Sequence, residues 1–280
     1  METNIILAGV GGQGIVSIAY VIDMAALEHG LSFKQAEVHG MSQRGGAVQS
    51  HLRISSQPIH SDLIPRGHCD LILSVEPLES LRYVEFLAPT GTVVSATEPF
   101  VNIPNYGDVD RVIDTMSALP SHVVIPAERL ARAVGSARAA NMVILGAASP
   151  YLGLPEALLE KGIIDAFRAK GDKIQQMNLA AFRAGKAAGA AYRACLAAGI
   201  PSRNARVLVG RVDGGTLHDQ AITPWKQVFD SSVGPTVHEL LASGTQGRLP
   251  GSPDLPVALL GATGSSRDAV AALLFQSAKA

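Results

Sequence analysis

Two short clusters carry the residue types and spacings that could do chemistry. The first, Gly9-Val10-Gly11-Gly12-Gln13-Gly14, fits G-x-G-x-x-G. Glycine at such positions permits positive φ and close backbone approach, and a helix that follows offers free N–H groups to an anion. Glu37 stands 23 positions beyond Gly14, near the spacing of a ribose-binding acid. The same glycines also suit a plain tight strand-to-helix turn, so a phosphate or cofactor role and a packing role both stay open. The second cluster is Glu37-Val38-His39-Gly40-Met41-Ser42-Gln43-Arg44-Gly45-Gly46. Its His39, Ser42, Gln43 and Arg44 supply several hydrogen-bond donors within a few residues. Arg44 has the planar fork that grips a carboxylate or phosphate at two points, and His39 has the range of a general base or proton relay. Gly40, Gly45 and Gly46 let such a segment turn tightly. As a unit it reads as an interface or the edge of a ligand site; His39 alone is not a mechanism.

Other polar residues promise less. His51 and Arg53 are expected on the outer face of a strand, in solvent or under a helix. Ser74, Glu76 and Glu79 follow an apolar run where ligands approach parallel sheets, although Glu76 before Pro77 also suits a helix N-terminus. His60 and His68 show no metal-ligand spacing. The chain contains no G-x-S-x-G elbow, Walker loop or H-E-x-x-H. Gly261-Ala262-Thr263-Gly264 is better read as a turn than as a second anion loop.

The elements that must position these clusters are legible as patterns. Residues 4–8 (NIILA) form a compact apolar run ending in glycine, as a buried parallel strand does. Helical spacing then runs over 15–27. Strands are predicted at 33–38, at 47–54 (with Val48, Ser50, Leu52 and Ile54 on one face), and at 70–75, 91–96 and 122–125. Pro77 opens a helix expected to reach 87, and Pro126 opens another. Between 97 and 120 the periodicity weakens and a surface excursion is expected. Helical patterns follow at 139–148, 155–169 and 173–198. Alternating strands and helices predict an α/β, Rossmann-like fold: a mostly parallel sheet with helices on both faces. At Gly199-Ile200-Pro201 the composition shifts, dividing a domain of residues 1–199 from a loop-rich C-terminal extension of residues 200–280. Within the extension, strands are predicted at 206–209 and 256–260 and a helix at 267–275.

Composition narrows the function. Twenty-three Lys and Arg against 24 Asp and Glu give a net charge of −1, which speaks against a basic nucleic-acid binder. Only 17% of residues are charged and 47% are hydrophobic, against about 25% charged in typical soluble domains; apolar surface is left over for a partner. The opening residues read as a strand, not a signal peptide, and no apolar run approaches the roughly 18 residues of a membrane span. A cytoplasmic protein is expected. Cys69 and Cys195 are the only two cysteines, too few for an iron–sulfur cluster, an all-cysteine zinc site or a disulfide framework.

On these residues the chain resembles the gamma-type domain of 2-oxoacid:ferredoxin oxidoreductases, and within that group the small (beta) subunit of indolepyruvate ferredoxin oxidoreductases. The glycine loop 9–14 and the segment 37–46 carry the likeness. Asp70-Leu71-Ile72-Leu73, Glu76-Pro77-Leu78-Glu79, Asn141-Met142 with Gly146-Ala147, and Asn178-Leu179 with Phe182 and Gly185 follow in the same order. The resemblance covers about residues 1–190; the tail departs from the family's short ending. It implies that a 2-oxoacid such as an arylpyruvate, with coenzyme A as co-substrate and ferredoxin as acceptor, yields an acyl-CoA and carbon dioxide. The family's thiamine diphosphate, Mg and iron–sulfur clusters are expected on a separate large subunit, since this chain lacks a G-D-G…N motif and the cysteines. Gly9, Gly11, Gly12, Gln13 and Gly14, with His39, Ser42, Gln43, Arg44, Gly45 and Gly46, would then face the partner's active-site channel, and no catalytic residue or metal ligand is assigned to this chain. Two other readings stand beside it: a stand-alone nicotinamide or flavin enzyme using the glycine loop with Glu37, and a non-catalytic assembly protein of the same fold.

Overall fold

A computed structural model describes residues 1–39, 45–101, 103, 105–197 and 201–210. Its six strands are β1 (Glu2–Val10), β2 (Ser32–His39), β3 (Ala47–Ser55), β4 (Cys69–Ser74), β5 (Leu87–Ala96) and β6 (His122–Ile125), in the order β2-β3-β1-β4-β5-β6. β1 pairs parallel with β4, β4 with β5 and β5 with β6, while β3 runs antiparallel to both β1 and β2. Five strands therefore share one direction and β3 alone is reversed, giving the mostly parallel sheet that the alternating pattern predicts. β1 and β4, covered on both faces, are continuous apolar runs with Ile5, Ile6, Leu7, Leu71, Ile72 and Leu73 all fully buried.

The helices are α1 (Ile15–Glu28), α2 (Pro77–Arg82), α3 (Val109–Ser117), α4 (Ala127–Ala133), α5 (Ala140–Ala148), α6 (Glu156–Ala166), α7 (Asp172–Ala197) and α8 (Ser202–Val209). From β4 the chain steps outward through α2, β5, α3 and β6; from β1 it steps the opposite way through α1 to β2. Because crossovers between parallel strands are right-handed, α1 covers one face of the sheet and α2 and α3 the other. α5, α6 and α7 pack on the α1 side. The direction of winding reverses between β1 and β4, and ligand crevices of open α/β sheets form at such reversals.

Several expectations are corrected. The weakly periodic stretch before β6 contains α3, whose N-cap Asp108 accepts from the backbone N–H groups of Asp110 and Arg111; Val112, Ile113 and Met116 face inward. α2 stops at Arg82 and does not reach 87, a 3₁₀ turn and the start of β5 taking its place. Residues 206–209 are not a strand: they belong to α8, which buries Ala205 and Val209. Tyr192 Oη and Ser202 Oγ lie 2.6 Å apart there, and Arg206 donates to Ser117. Of the two places expected for His51 the structure gives the covered one: it is buried, its Nδ1 accepts from Ile64 N–H, and the ring of Phe86, on the 3₁₀ turn before β5, packs edge-on against it. The elements predicted at 256–275 lie outside the described residues.

The tightest packing joins α5 to α7. A Cβ on Gly146 would land on the Phe182 carbonyl, and one on Gly185 on the Val143 carbonyl. The two helices thus meet backbone to backbone, burying Met142, Val143 and Phe182 around the contact. We expect Gly185→Ala to destabilise the chain by about 3 kcal/mol or more, read as a large fall in the urea midpoint. Gly107→Ala, with nothing within 4 Å of its added carbon, should leave that midpoint unchanged.

Asp23 sits on α1 at 8% exposure with Oδ1 unpartnered, and burial raises its carboxyl from 3.8 to about 7. Below 3.8 both states are protonated and nothing is lost. Between about 4 and 7 the unfolded chain releases a proton that the folded chain keeps, so stability falls as pH rises and levels off above 7. Asp23→Asn should abolish that slope and raise the melting temperature at pH 8 by roughly 5–10 °C, with little change at pH 4. Melting curves across pH test both effects.

Candidate functional site

The glycine loop closes the C-terminal end of β1 at the winding reversal. Gly9 pairs with Val48 of β3 and faces α1. A Cβ there would lie 2.5 Å from Val75 Cγ2 and 3.0 Å from Ile15 Cδ1, so only glycine lets β1, the end of β4 and α1 converge. Gly12 and Gly14 have φ of 100° and 83°, the left-handed region that glycine tolerates. Gln13 folds back over the turn: Val10 N–H donates to its Oε1 at 2.7 Å, and its Nε2 donates to the Val75 carbonyl at 3.4 Å. The Gly14 carbonyl begins α1 by accepting from Ser17 and Ile18, and it also receives Asn141 Nδ2 at 3.2 Å. One turn is thereby tied to β4 through Gln13 and to the start of α5 through Asn141.

The second cluster meets the first through backbone. Gly11 N–H donates to the Gly46 carbonyl at 2.8 Å, and Gly45 N–H donates to the Gly11 carbonyl at 3.2 Å. Gly45 has φ 78°, which the absence of a side chain permits. The structure therefore brings Gly9, Gly11, Gly12, Gln13 and Gly14 together with Gly45 and Gly46. His39 ends β2 opposite Val48; its side chain, together with Gly40, Met41, Ser42, Gln43 and Arg44, lies outside the described residues.

Glu37 does not join this arrangement. It pairs with Ser50, which pairs in turn with Leu7. The reversed strand β3 thus sets Glu37 two strand spacings, about 10 Å, from β1. A ribose-binding acid belongs on the strand beside the glycine turn, so this topology gives the loop no such partner.

Beside the loop lies a cleft of about 470 Å³ that the sequence pattern does not reveal. Gly12, Gln13, Gly14 and Ser17 form one wall, and Asn141 at the start of α5 another. Phe100 and Phe167 supply apolar surface, and the exposed Arg138 and Lys170 stand at the rim, with the Lys170 ammonium 5.2 Å from the Phe167 ring centre. Glu98 lines the interior. Its Oε1 accepts from Arg129 N–H at the start of α4, its Oε2 is buried without a partner, and burial raises its carboxyl above the usual range. These residues come from the ends of four separate elements, so only a fold-level reading, in which positions just beyond strands at a winding reversal are assembled, would have found them.

Glu76 proves to be a capping and fastening group. Almost fully buried, it accepts from Glu79 N–H at the start of α2 and from Phe100 N–H, and Tyr106 Oη also donates to it. It holds the segment after β5 against the end of β4, and with it the Phe100 wall of the cleft. Glu79 is paired with Arg82 at 2.9 Å. Cys69 and Cys195 are both fully buried, their thiols pushed up to about 12 by burial. Buried thiols held in the protonated form are poor nucleophiles and poor metal ligands. Among the described residues no group of three or more His, Cys, Asp or Glu is placed to hold a metal ion.

Comparison with known proteins agrees with this architecture. The family model described as pyruvate ferredoxin/flavodoxin oxidoreductase matches residues 4–188. The indolepyruvate oxidoreductase subunit IorB of Methanothermobacter thermautotrophicus is 35% identical over 198 residues, covering 68% of this chain and 99% of that protein. The subunit of the same name from Archaeoglobus fulgidus is 33% identical over 194 residues, covering 66% and 94%. Among solved structures, 2-oxoglutarate:ferredoxin oxidoreductase from Magnetococcus marinus, with 2-oxoglutarate, coenzyme A and succinyl-CoA bound, is similar at a TM-score of 0.54 and 25% identity. That match covers 66% of this chain and 30% of the larger one.

Gln13→Ala should cost about 1–3 kcal/mol by freeing the Val10 N–H and the Val75 carbonyl. Hydrogen exchange at the Val10 and Gly11 amides should accelerate while amides in α7 keep their protection.

Proposed function

Because the chain belongs to the pyruvate ferredoxin/flavodoxin oxidoreductase family, we propose that it is the small subunit of a cytoplasmic 2-oxoacid oxidoreductase acting on an arylpyruvate such as indolepyruvate. The reaction joins the 2-oxoacid to coenzyme A, releases carbon dioxide, and passes two electrons to ferredoxin carried by the complex. Thiamine diphosphate, Mg and the iron–sulfur clusters belong to the larger partner. The thiols here do not fit the clusters: two buried cysteines on separate elements cannot hold one. No helix among the described residues is long and apolar enough to cross a membrane.

The observation that carries the reading is the junction of Gly11 with Gly45 and Gly46 at the winding reversal. It presents the glycine turn and the end of the second cluster, Gly45 and Gly46, as one edge, in a chain that spans nearly the full length of the small subunits it resembles. In this role the edge faces the partner's active-site channel and the approach of coenzyme A, and Arg44 supplies a planar cationic fork to an anionic group there. Residues 1–199 form the accessory domain and 200–280 an extension.

Co-purification from cell extract, followed by thiamine and iron analysis and an arylpyruvate turnover assay, tests the assignment. Arg44→Ala should lower turnover of the assembled complex roughly ten- to a hundredfold, the worth of a charged hydrogen-bonded contact, with assembly unchanged. Wild-type kinetics from that variant would remove Arg44 from the channel.

A further inference from the structure

The outer side of α1 is unusual for an exposed helix. Val16, Tyr20 and Leu27 are 63%, 43% and 58% exposed, and their spacing of four and then seven residues puts them on one stripe. Phe33, on the face of edge strand β2 that looks toward α1, is exposed as well. Asp23 falls on the same stripe, between Tyr20 and Leu27. It is buried, its Oδ1 has no partner, and no charged group among the described residues offsets it. A chain that functions alone gains nothing by keeping a desolvated acid inside an apolar surface strip.

We propose that the α1 stripe, with Phe33, is the surface that seats the larger oxidoreductase subunit, and that this subunit places a Lys or Arg side chain over Asp23. The proposal rests on the functional reading above and adds a face and a chemistry to it. Three observations support that occupant. The stripe begins two residues beyond Gly14, so a protein seated on it also overlooks the glycine turn and the cleft beside it. An apolar centre with a single buried charge is the composition of a specific interface core, where a complementary charge fixes register. A second copy of this chain answers the charge poorly, because α1 contains no Lys, Arg or His. Two-fold packing of α1 on α1 would therefore bring acid toward acid. Lys34, the nearby cation of β2, belongs to the opposite face of the sheet, where it pairs with Arg53.

The test uses the full chain and the larger subunit produced together, with affinity measured for wild type, Val16→Glu/Leu27→Glu, Asp23→Asn, and Leu63→Glu as a control. Leu63 is exposed beside the Ile64–His51 contact, on the sheet face away from α1. The double variant should lose affinity by tenfold or more, and Asp23→Asn by about tenfold. Leu63→Glu should bind as wild type. Asp23→Asn should weaken assembly while raising the melting temperature of the chain alone, a combination that a folding defect cannot produce. Undiminished capture by the α1 variants would overturn the proposal. So would a homodimer of the isolated chain that those variants break while capture of the larger subunit persists. Failure of the wild-type chain to bind any thiamine- and iron-containing subunit would instead overturn the functional reading, and this inference with it.

Discussion

Backbone-to-backbone contact between α5 and α7, at Gly146 and Gly185, is the constraint on which the rest of the architecture depends. With no side chain between them the helices meet backbone to backbone, where side chains would otherwise interdigitate and set the separation. α7 then lies low enough over the sheet to bury Phe182 and Tyr192 completely. That seating fixes where α5 begins, and its second residue is Asn141, whose amide holds the Gly14 carbonyl. The shape of the glycine turn is therefore set partly by a helix contact more than a hundred residues away in sequence. A second tie, through Gln13 to Val75, anchors the turn to β4. The turn is positioned from both sides before any ligand is considered, and preorganisation of this kind suits a binding or channel edge.

The reversed strand β3 changes what the glycine signature means. In a dinucleotide-binding half the acid that follows the glycines lies on the strand next to β1. Here that place is taken by β3, and Gly45 and Gly46, which lead into it, are hydrogen-bonded to Gly11. The neighbours of the turn are thus Gly45 and Gly46 and not a ribose-binding carboxylate. The spacing from Gly14 to Glu37 is a coincidence of chain length, undone by one hairpin. A G-x-G-x-x-G motif reports a close turn between strand and helix; the strand order decides what it serves.

Burial by sequence-continuous apolar runs made most of the fold legible in advance. β1, β4 and β6 each hold a short unbroken apolar stretch, at 5–8, 71–73 and 123–125, and α1 and α7 are long enough for helical periodicity to be unambiguous. What escaped were short elements whose stability comes from tertiary contacts. α3 has three inward residues in nine, and its signal is the Asp108 cap more than its periodicity. α8 contains the strand-like Arg206-Val207-Leu208-Val209, yet Ser202 and Arg206 hold it as a helix against Tyr192 and Ser117. Alternation puts His51 on the outer face of its strand without saying what covers that face; residues 61–64 fold back over it. The glycine turn was legible as a local motif. The cleft beside it was not, since Glu98, Phe100, Asn141 and Phe167 meet only after strand order is known.

Asp23 shows how a subunit differs from a self-sufficient enzyme of the same fold. A free-standing protein tends to neutralise or discard a carboxyl whose burial lowers stability at neutral pH, because replacing it is a one-residue change. A chain whose working state is a complex is stable or unstable as part of that complex, and linkage to the partner offsets a local defect. The same logic covers the exposed Val16, Tyr20 and Leu27, which cost solubility in isolation and contribute burial on assembly. The residues that look least well adapted in the isolated chain gather on the helix that leaves the glycine turn. A partner seated there would be carried directly to the edge at which this fold gathers its glycine turn, Gly45 and Gly46, and its cleft.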